Sequence, residues 1–141
     1  MEQFIEFIGN NGVLAGVFLL LLVFLAHDIL GAYFSGIKSI GPAVATGLIN
    51  HESAVVLDVR ENAEFSSGHI LNAIHIPFSS IQTQLKKLEK FREKPIIVSC
   101  RSGSRSNSVC KQLRKEGFEH LYNLQGGVLA WESSNLPLTK K

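Results

Sequence analysis

Cys100 stands in the run Cys100-Arg101-Ser102-Gly103-Ser104-Arg105-Ser106, directly after Pro95-Ile96-Ile97-Val98-Ser99 and before a segment in which Val109 and Leu113 recur at helical spacing. A thiol between a buried strand and a following helix lies where open α/β sheets bind their ligands. Unpaired backbone N–H groups converge there and the helix dipole adds partial positive charge, so an anion is stabilised. For a cysteine that anion is the thiolate, the nucleophilic form. Gly103 lets the chain curl without a Cβ in the way, and Arg101 and Arg105 add charge at the mouth. The small side chains of Ser102 and Ser104 keep the backbone donors accessible. A cysteine that merely filled space at a strand end would need none of these neighbours. Cys110 is different: it lies inside the following helix beside Val109 and reads as packing.

Other chemistries find little support. The two cysteines are too few for a disulfide framework, and no His or Cys stands at the close paired spacing a metal needs, so neither metal nor cofactor is expected. No Ser-His-Asp arrangement is singled out by spacing. Lys and Arg are interspersed with Glu and Asp without an aromatic stripe, which argues against a nucleic-acid partner.

The elements that must position the thiol follow from the pattern. Ala54-Val55-Val56-Leu57-Asp58-Val59 and the run before Cys100 are continuous and β-branched, as strands buried on both faces are. Ile81, Leu85 and Leu88 fall at helical spacing behind Ser79 and Ser80 as candidate caps, and Gly117 supplies the stop of the helix after Cys100. Pro42 fits the first turn of a short helix with Val44, Leu48 and Ile49 on one side. Alternating strands and helices predict an α/β fold with a mainly parallel central sheet flanked by helices.

Ahead of that domain the chain changes character. No residue from Phe7 to Ala26 is charged, and residues 1–37 hold Glu2, Glu6 and Asp28 but no Lys or Arg. About 20 apolar residues cross a bilayer core. A transmembrane anchor is therefore expected over 7–34, with Tyr33 and Phe34 as interfacial anchors. A cleaved signal peptide would carry positive charge where Glu2 and Glu6 stand. The small, polar stretch from Ser35 to Gly41 is the link, taken as 35–38 with the domain at 39–141.

The ordered set Asp58-Val59-Arg60, Glu64-Phe65, Gly68-His69-Ile70, Asn72-Ala73, Ile76-Pro77, Cys100 with Gly103, Arg105 and Ser106, then Gly117-Phe118, Tyr122-Asn123-Leu124 with Gly126-Gly127, Trp131 and Leu136-Pro137 resembles the rhodanese family. The resemblance implies a sulfurtransferase in which Cys100 accepts sulfane sulfur as a persulfide and passes it to a thiol, cyanide or a protein acceptor. Arg101, Ser102, Gly103, Ser104 and Arg105 would surround the sulfur. Asp58 and Arg60 would support the site as a structural ion pair, and His69 belongs to a turn that calls for structural hydrogen bonding. Trp131 covers the core.

Two other classes remain as alternatives. One is a membrane-bound docking module that keeps the fold and binds another membrane protein. The other is a phosphatase or arsenate reductase, but those loops resemble Cys-x5-Arg, whereas here Arg105 closes Cys-x4-Arg and Ser99 rather than His precedes the thiol. Lys38 and the basic domain behind it place the domain on the cytoplasmic side of a cell membrane.

Overall fold

The computed structural model describes residues 11–34 and 36–140. The chain divides into two compact units, Met1–Ser35 and Gly36–Lys141.

In the first unit, helix α1 runs over Gly12–Phe34. Its stretch Gly12–Gly31, 20 residues long, is apolar and unburied. At 1.5 Å per residue this spans about 30 Å, the thickness of a bilayer's hydrocarbon core. Val17, Leu20, Leu22, Phe24 and Ile29 are all exposed. The helix is thus long and apolar enough to cross a membrane. The Tyr33 and Phe34 side chains, expected at the interface, lie outside the described part, as do residues 7–10 at the start of the expected anchor.

The second unit is a five-stranded, wholly parallel sheet of β1 (Lys38–Ile40), β2 (Val55–Asp58), β3 (Ile74–His75), β4 (Ile96–Ser99) and β5 (Leu121–Leu124), in the order β1-β5-β4-β2-β3. Strand β4 lies in the middle, with Asp58 of β2 opposite its last residue, Ser99, and Asn123 of β5 opposite Val98. Helices cover both faces, which is why β2 and β4 are continuous apolar runs rather than alternating ones. On one face Leu57, Ile96 and Val98 pack with Val109, Leu113 and Phe118, among them Cys100 and Cys110. On the other, Val56, Ile97 and Leu124 pack with Ala45 and Trp131.

The first face is closed by α5 (Ser104–Lys115) and by the segment that starts as α4 (Ile81–Gln84). The second is closed by α2 (Pro42–His51) and α6 (Gly127–Ser133), while the short α3 (Asn62–Ser67) follows β2.

Several elements differ from the pattern-based expectation. Lys38–Ile40, expected as link at Lys38 and up to Gly41, is the edge strand β1, paired with Tyr122, Asn123 and Leu124. Backbone pairing decides this, and three residues are too few to show a period. The stretch expected as one helix through Leu88 turns 3₁₀ over Leu85–Phe91, and neither Ser79 nor Ser80 caps it through a side chain. In α2 it is Ala45 that is buried, with Leu48 and Ile49 packed against the second core, while Val44 is exposed.

Candidate active site

Strand β4 ends at Ser99, and Cys100 begins the turn into α5 with its side chain 1% exposed. The turn closes at Gly103, which has φ +99° and whose N–H donates to Cys100 Sγ at 3.1 Å. A Cβ there would stand 3.2 Å from the Gly126 nitrogen and the Leu124 carbonyl, so the loop can be this tight only with glycine. The sulfur takes the place of a side-chain cap, since Gly103 caps α5 without one.

A second turn of backbone holds the loop from outside. The N–H groups of Val128 and Leu129, free at the start of α6, donate to the carbonyls of Cys100 (2.8 Å) and Arg101 (3.2 Å). Gly127 makes this approach feasible: it has φ +57°, and a Cβ would lie 2.6 Å from the Arg101 carbonyl carbon.

Ser106, fully buried in the first turn of α5, brings its Oγ to 3.4 Å from Cys100 Sγ. Burial pushes the Cys100 thiol up, but hydrogen bonds to its anion, from the Ser106 hydroxyl once that turns to the sulfur and from the backbone of Ser106, Gly103 and Ser102, outweigh it, and the net shift is downward. Cys110 has no such donors. Burial, and after it the charge of Cys100, pushes its thiol up to about 12. At neutral pH it stays protonated, donating to the Tyr122 carbonyl.

The loop residues divide by partner. Ser102 and Ser104 are exposed on the loop's outer side, as is Arg101. Arg105 is not a free cation at the mouth: its guanidinium forks onto the Glu64 carboxylate of α3, with Nη1 and Nη2 at 2.9 and 2.8 Å from the two oxygens. That hydrogen bond, against a smaller opposing effect of burial, holds Glu64 down at about 2. Glu64 is itself aimed by a capping box with Glu61. The pairing spans 41 residues of sequence, so local spacing gave no sign of it.

Asp58 and Arg60 form a buried ion pair at the end of β2, with Arg60 Nη2 at 2.7 Å from Asp58 Oδ2 and also donating to the Gly68 carbonyl at 2.8 Å. This fixes the turn leading to β3. His69 lies in that turn, stacked on Phe65 and donating through Nδ1 to the Phe65 carbonyl at 3.0 Å. Trp131 donates to the Pro137 carbonyl and closes the second core. A cleft of about 190 Å³, lined by Arg60, Glu64, Ser67, Arg101, Leu129 and Glu132, opens beside the loop. It has room for a small donor and carries both signs of charge.

The profile of the Rhodanese-like domain matches residues 42–134. Over the whole chain the protein is similar to YibN of Escherichia coli K12, 35% identical over 141 residues that cover 99% of each. The thiosulfate sulfurtransferase GlpE of Coxiella burnetii is 34% identical over 96 residues, 68% of this chain and 88% of that one. Among solved structures, a rhodanese-related protein from Thermoplasma volcanium superposes with a TM-score of 0.67 at 33% identity, covering 74% of this chain and 99% of its own.

Proposed function

The chain belongs to the rhodanese-like domain family, and on that premise we propose that it is a membrane-anchored sulfurtransferase whose sulfur carrier is Cys100. The observation that carries this reading is the Cys100 sulfur itself, buried at the head of α5 and receiving the Gly103 N–H. Donation of this kind stabilises a sulfur anion relative to an ordinary thiol. The name of the Coxiella relative, a thiosulfate sulfurtransferase, points to the same chemistry.

In the first half-reaction the Cys100 thiolate attacks the outer sulfur of a donor. A bond forms between the two sulfurs, and the donor's inner bond breaks with its electron pair leaving on sulfite, if the donor is thiosulfate, or on a thiolate, if it is a persulfide. Cys100 now carries a persulfide anion, held by the N–H groups that held the thiolate. In the second half-reaction cyanide, a thiol or a protein nucleophile attacks the terminal sulfur and the electron pair returns to Cys100. Arg101 attracts the anionic donor, since the Arg105 charge is offset by Glu64. That engagement also disfavours phosphoryl chemistry, in which the loop arginine must wrap onto the phosphate.

Intact mass of the purified chain after exposure to thiosulfate or a small persulfide tests the reading, alongside thiosulfate:cyanide turnover. The expected result is gain of one sulfur, lost again on adding cyanide. Cys100→Ser should abolish both signals and Cys110→Ser should preserve them. Turnover that survives in Cys100→Ser refutes the assignment.

A further inference from the structure

Around the sulfur the hydrogen bonds close into a ring that includes a residue from another strand. Asn123, on β5 and 6% exposed, donates from Nδ2 to the Gly103 carbonyl at 3.1 Å. A carbonyl only accepts, so the amide is oriented with its NH₂ toward Gly103 and its Oδ1 toward Ser106. Ser106 Oγ lies 2.6 Å from that Oδ1, which also only accepts, so the one hydroxyl proton of Ser106 points at Asn123. Toward Cys100, then, Ser106 presents a lone pair and takes the S–H proton at 3.4 Å. Gly103 N–H donates to the sulfur and closes the circle.

The ring holds together only while Cys100 keeps its proton. Once the thiolate forms, Ser106 faces it with a lone pair unless its hydroxyl swings from Asn123 to the sulfur, and the swing breaks a short bond between buried groups. We infer that Asn123 is a positioning residue: by competing for the single Ser106 proton it sets how much donation the sulfur anion receives. The consequence for turnover rests on the sulfurtransferase reading, whereas the effect on the thiol does not. A partly withheld donor leaves the anion more basic and more nucleophilic than a fully donating one would, and keeps a donor in reserve for the persulfide.

The other charged or titratable groups around the sulfur are accounted for. Arg105 is paired with Glu64, Cys110 remains protonated, Asp58 and Arg60 pair with each other on the neighbouring strand end, and Arg101 lies exposed in the loop. None of them is altered by a change at Asn123.

The test is the pH titration of thiolate absorbance in the detergent-solubilised full chain, taken as the difference from Cys100→Ser and needing no sulfur donor. Asn123→Leu has nearly the same shape but no acceptor, so it frees the Ser106 proton for the sulfur. The midpoint should fall by about half a pH unit, an increase of about threefold in the thiolate ratio. In a Ser106→Ala background the same change should leave the midpoint where it was. If Asn123 served only to brace the loop, its loss would loosen the Gly103 contact and the midpoint would rise. An unchanged or raised midpoint, or an equal shift with and without Ser106, overturns the inference. Should Asn123→Leu not fold, Asn123→Asp decides the matter. It grips the Ser106 proton harder, so the midpoint should rise, and rise less in the Ser106→Ala background; equal rises in both overturn the inference. A chain that gains no sulfur from thiosulfate or from a small persulfide yet shows the Ser106-dependent shift would sink the sulfurtransferase reading and leave the role of Asn123 standing.

Discussion

The Glu64 carboxylate is held at about 2 against an ordinary 4.5, chiefly by the Arg105 hydrogen bond. A carboxylate depressed in the folded state contributes stability that is full above its unfolded value and disappears as pH falls through the folded one. The window for this pair is therefore from about 4.5 down to about 2. Being only partly buried, the pair should contribute about 1 kcal/mol at neutral pH. Urea unfolding should show Glu64→Gln less stable than the parent by about that amount, with the gap closing as pH approaches 2. A gap that stays constant through the window would show that the ion pair contributes nothing. At this scale the sequence was legible where the signal was local: Cys100, Gly103 and the small loop residues sit within a few positions of one another. The contacts of Glu64 and Asn123 with the loop were not, although both residues belong to the set that carries the resemblance, because each reaches the loop from a separate element, across 41 and 20 residues respectively.

Elements show the same division between local and distant causes. Strands β2 and β4 and helix α5 were readable, since burial on both faces writes a continuous β-branched run into the strands and burial on one face a helical period into α5. Strands β1 and β3, of three and two residues, are too short to have a period, and the six-residue α3 has only Ala63 and Phe65 as apolar residues, too few to mark a helical face. Helix α6 is capped by Gly126 and opens on Gly127, so its start looks like a turn, but those glycines are what bring its first N–H groups onto the Cys100 loop. Gly127→Ala forces a Cβ against the Arg101 backbone at a positive φ and should cost about 1–3 kcal/mol, with a disproportionate loss of thiosulfate:cyanide turnover. Gly47→Ala is the matched contrast: its Cβ meets nothing within 4 Å in the interior of α2. It should stabilise by about 0.5–1 kcal/mol and leave turnover unchanged. Thermal melts measured beside turnover separate the two, and a Gly127→Ala protein with parental stability and activity would mean that α6 does not hold the loop.

At the scale of the whole molecule, the proposed membrane anchor carries a prediction about which side the domain occupies. Helix α1 carries Asp28 but no Lys or Arg, and residues 1–11 hold none either, whereas Lys38 lies just beyond and a domain rich in Lys and Arg follows. Positively charged flanks stay on the cytoplasmic side because moving Lys or Arg across the bilayer is costly, so residues 39–141 are predicted to face the cytoplasm. The chemistry of the site argues independently for the same side. Cys100 is a free thiol held toward its anion, and such a thiol outside the cytosol would be drawn into disulfides, whereas cytosolic thiol systems keep it reduced. Protease added to intact spheroplasts should therefore leave the domain uncut, with digestion appearing only after the membrane is opened. Alkylation provides a second readout, because a membrane-impermeant maleimide should fail to label Cys100 until lysis while a permeant one labels it at once. Cleavage and labelling in intact spheroplasts would place the domain outside, where Cys100 would meet oxidants, and its sulfur chemistry would then have to run on disulfides and polysulfides.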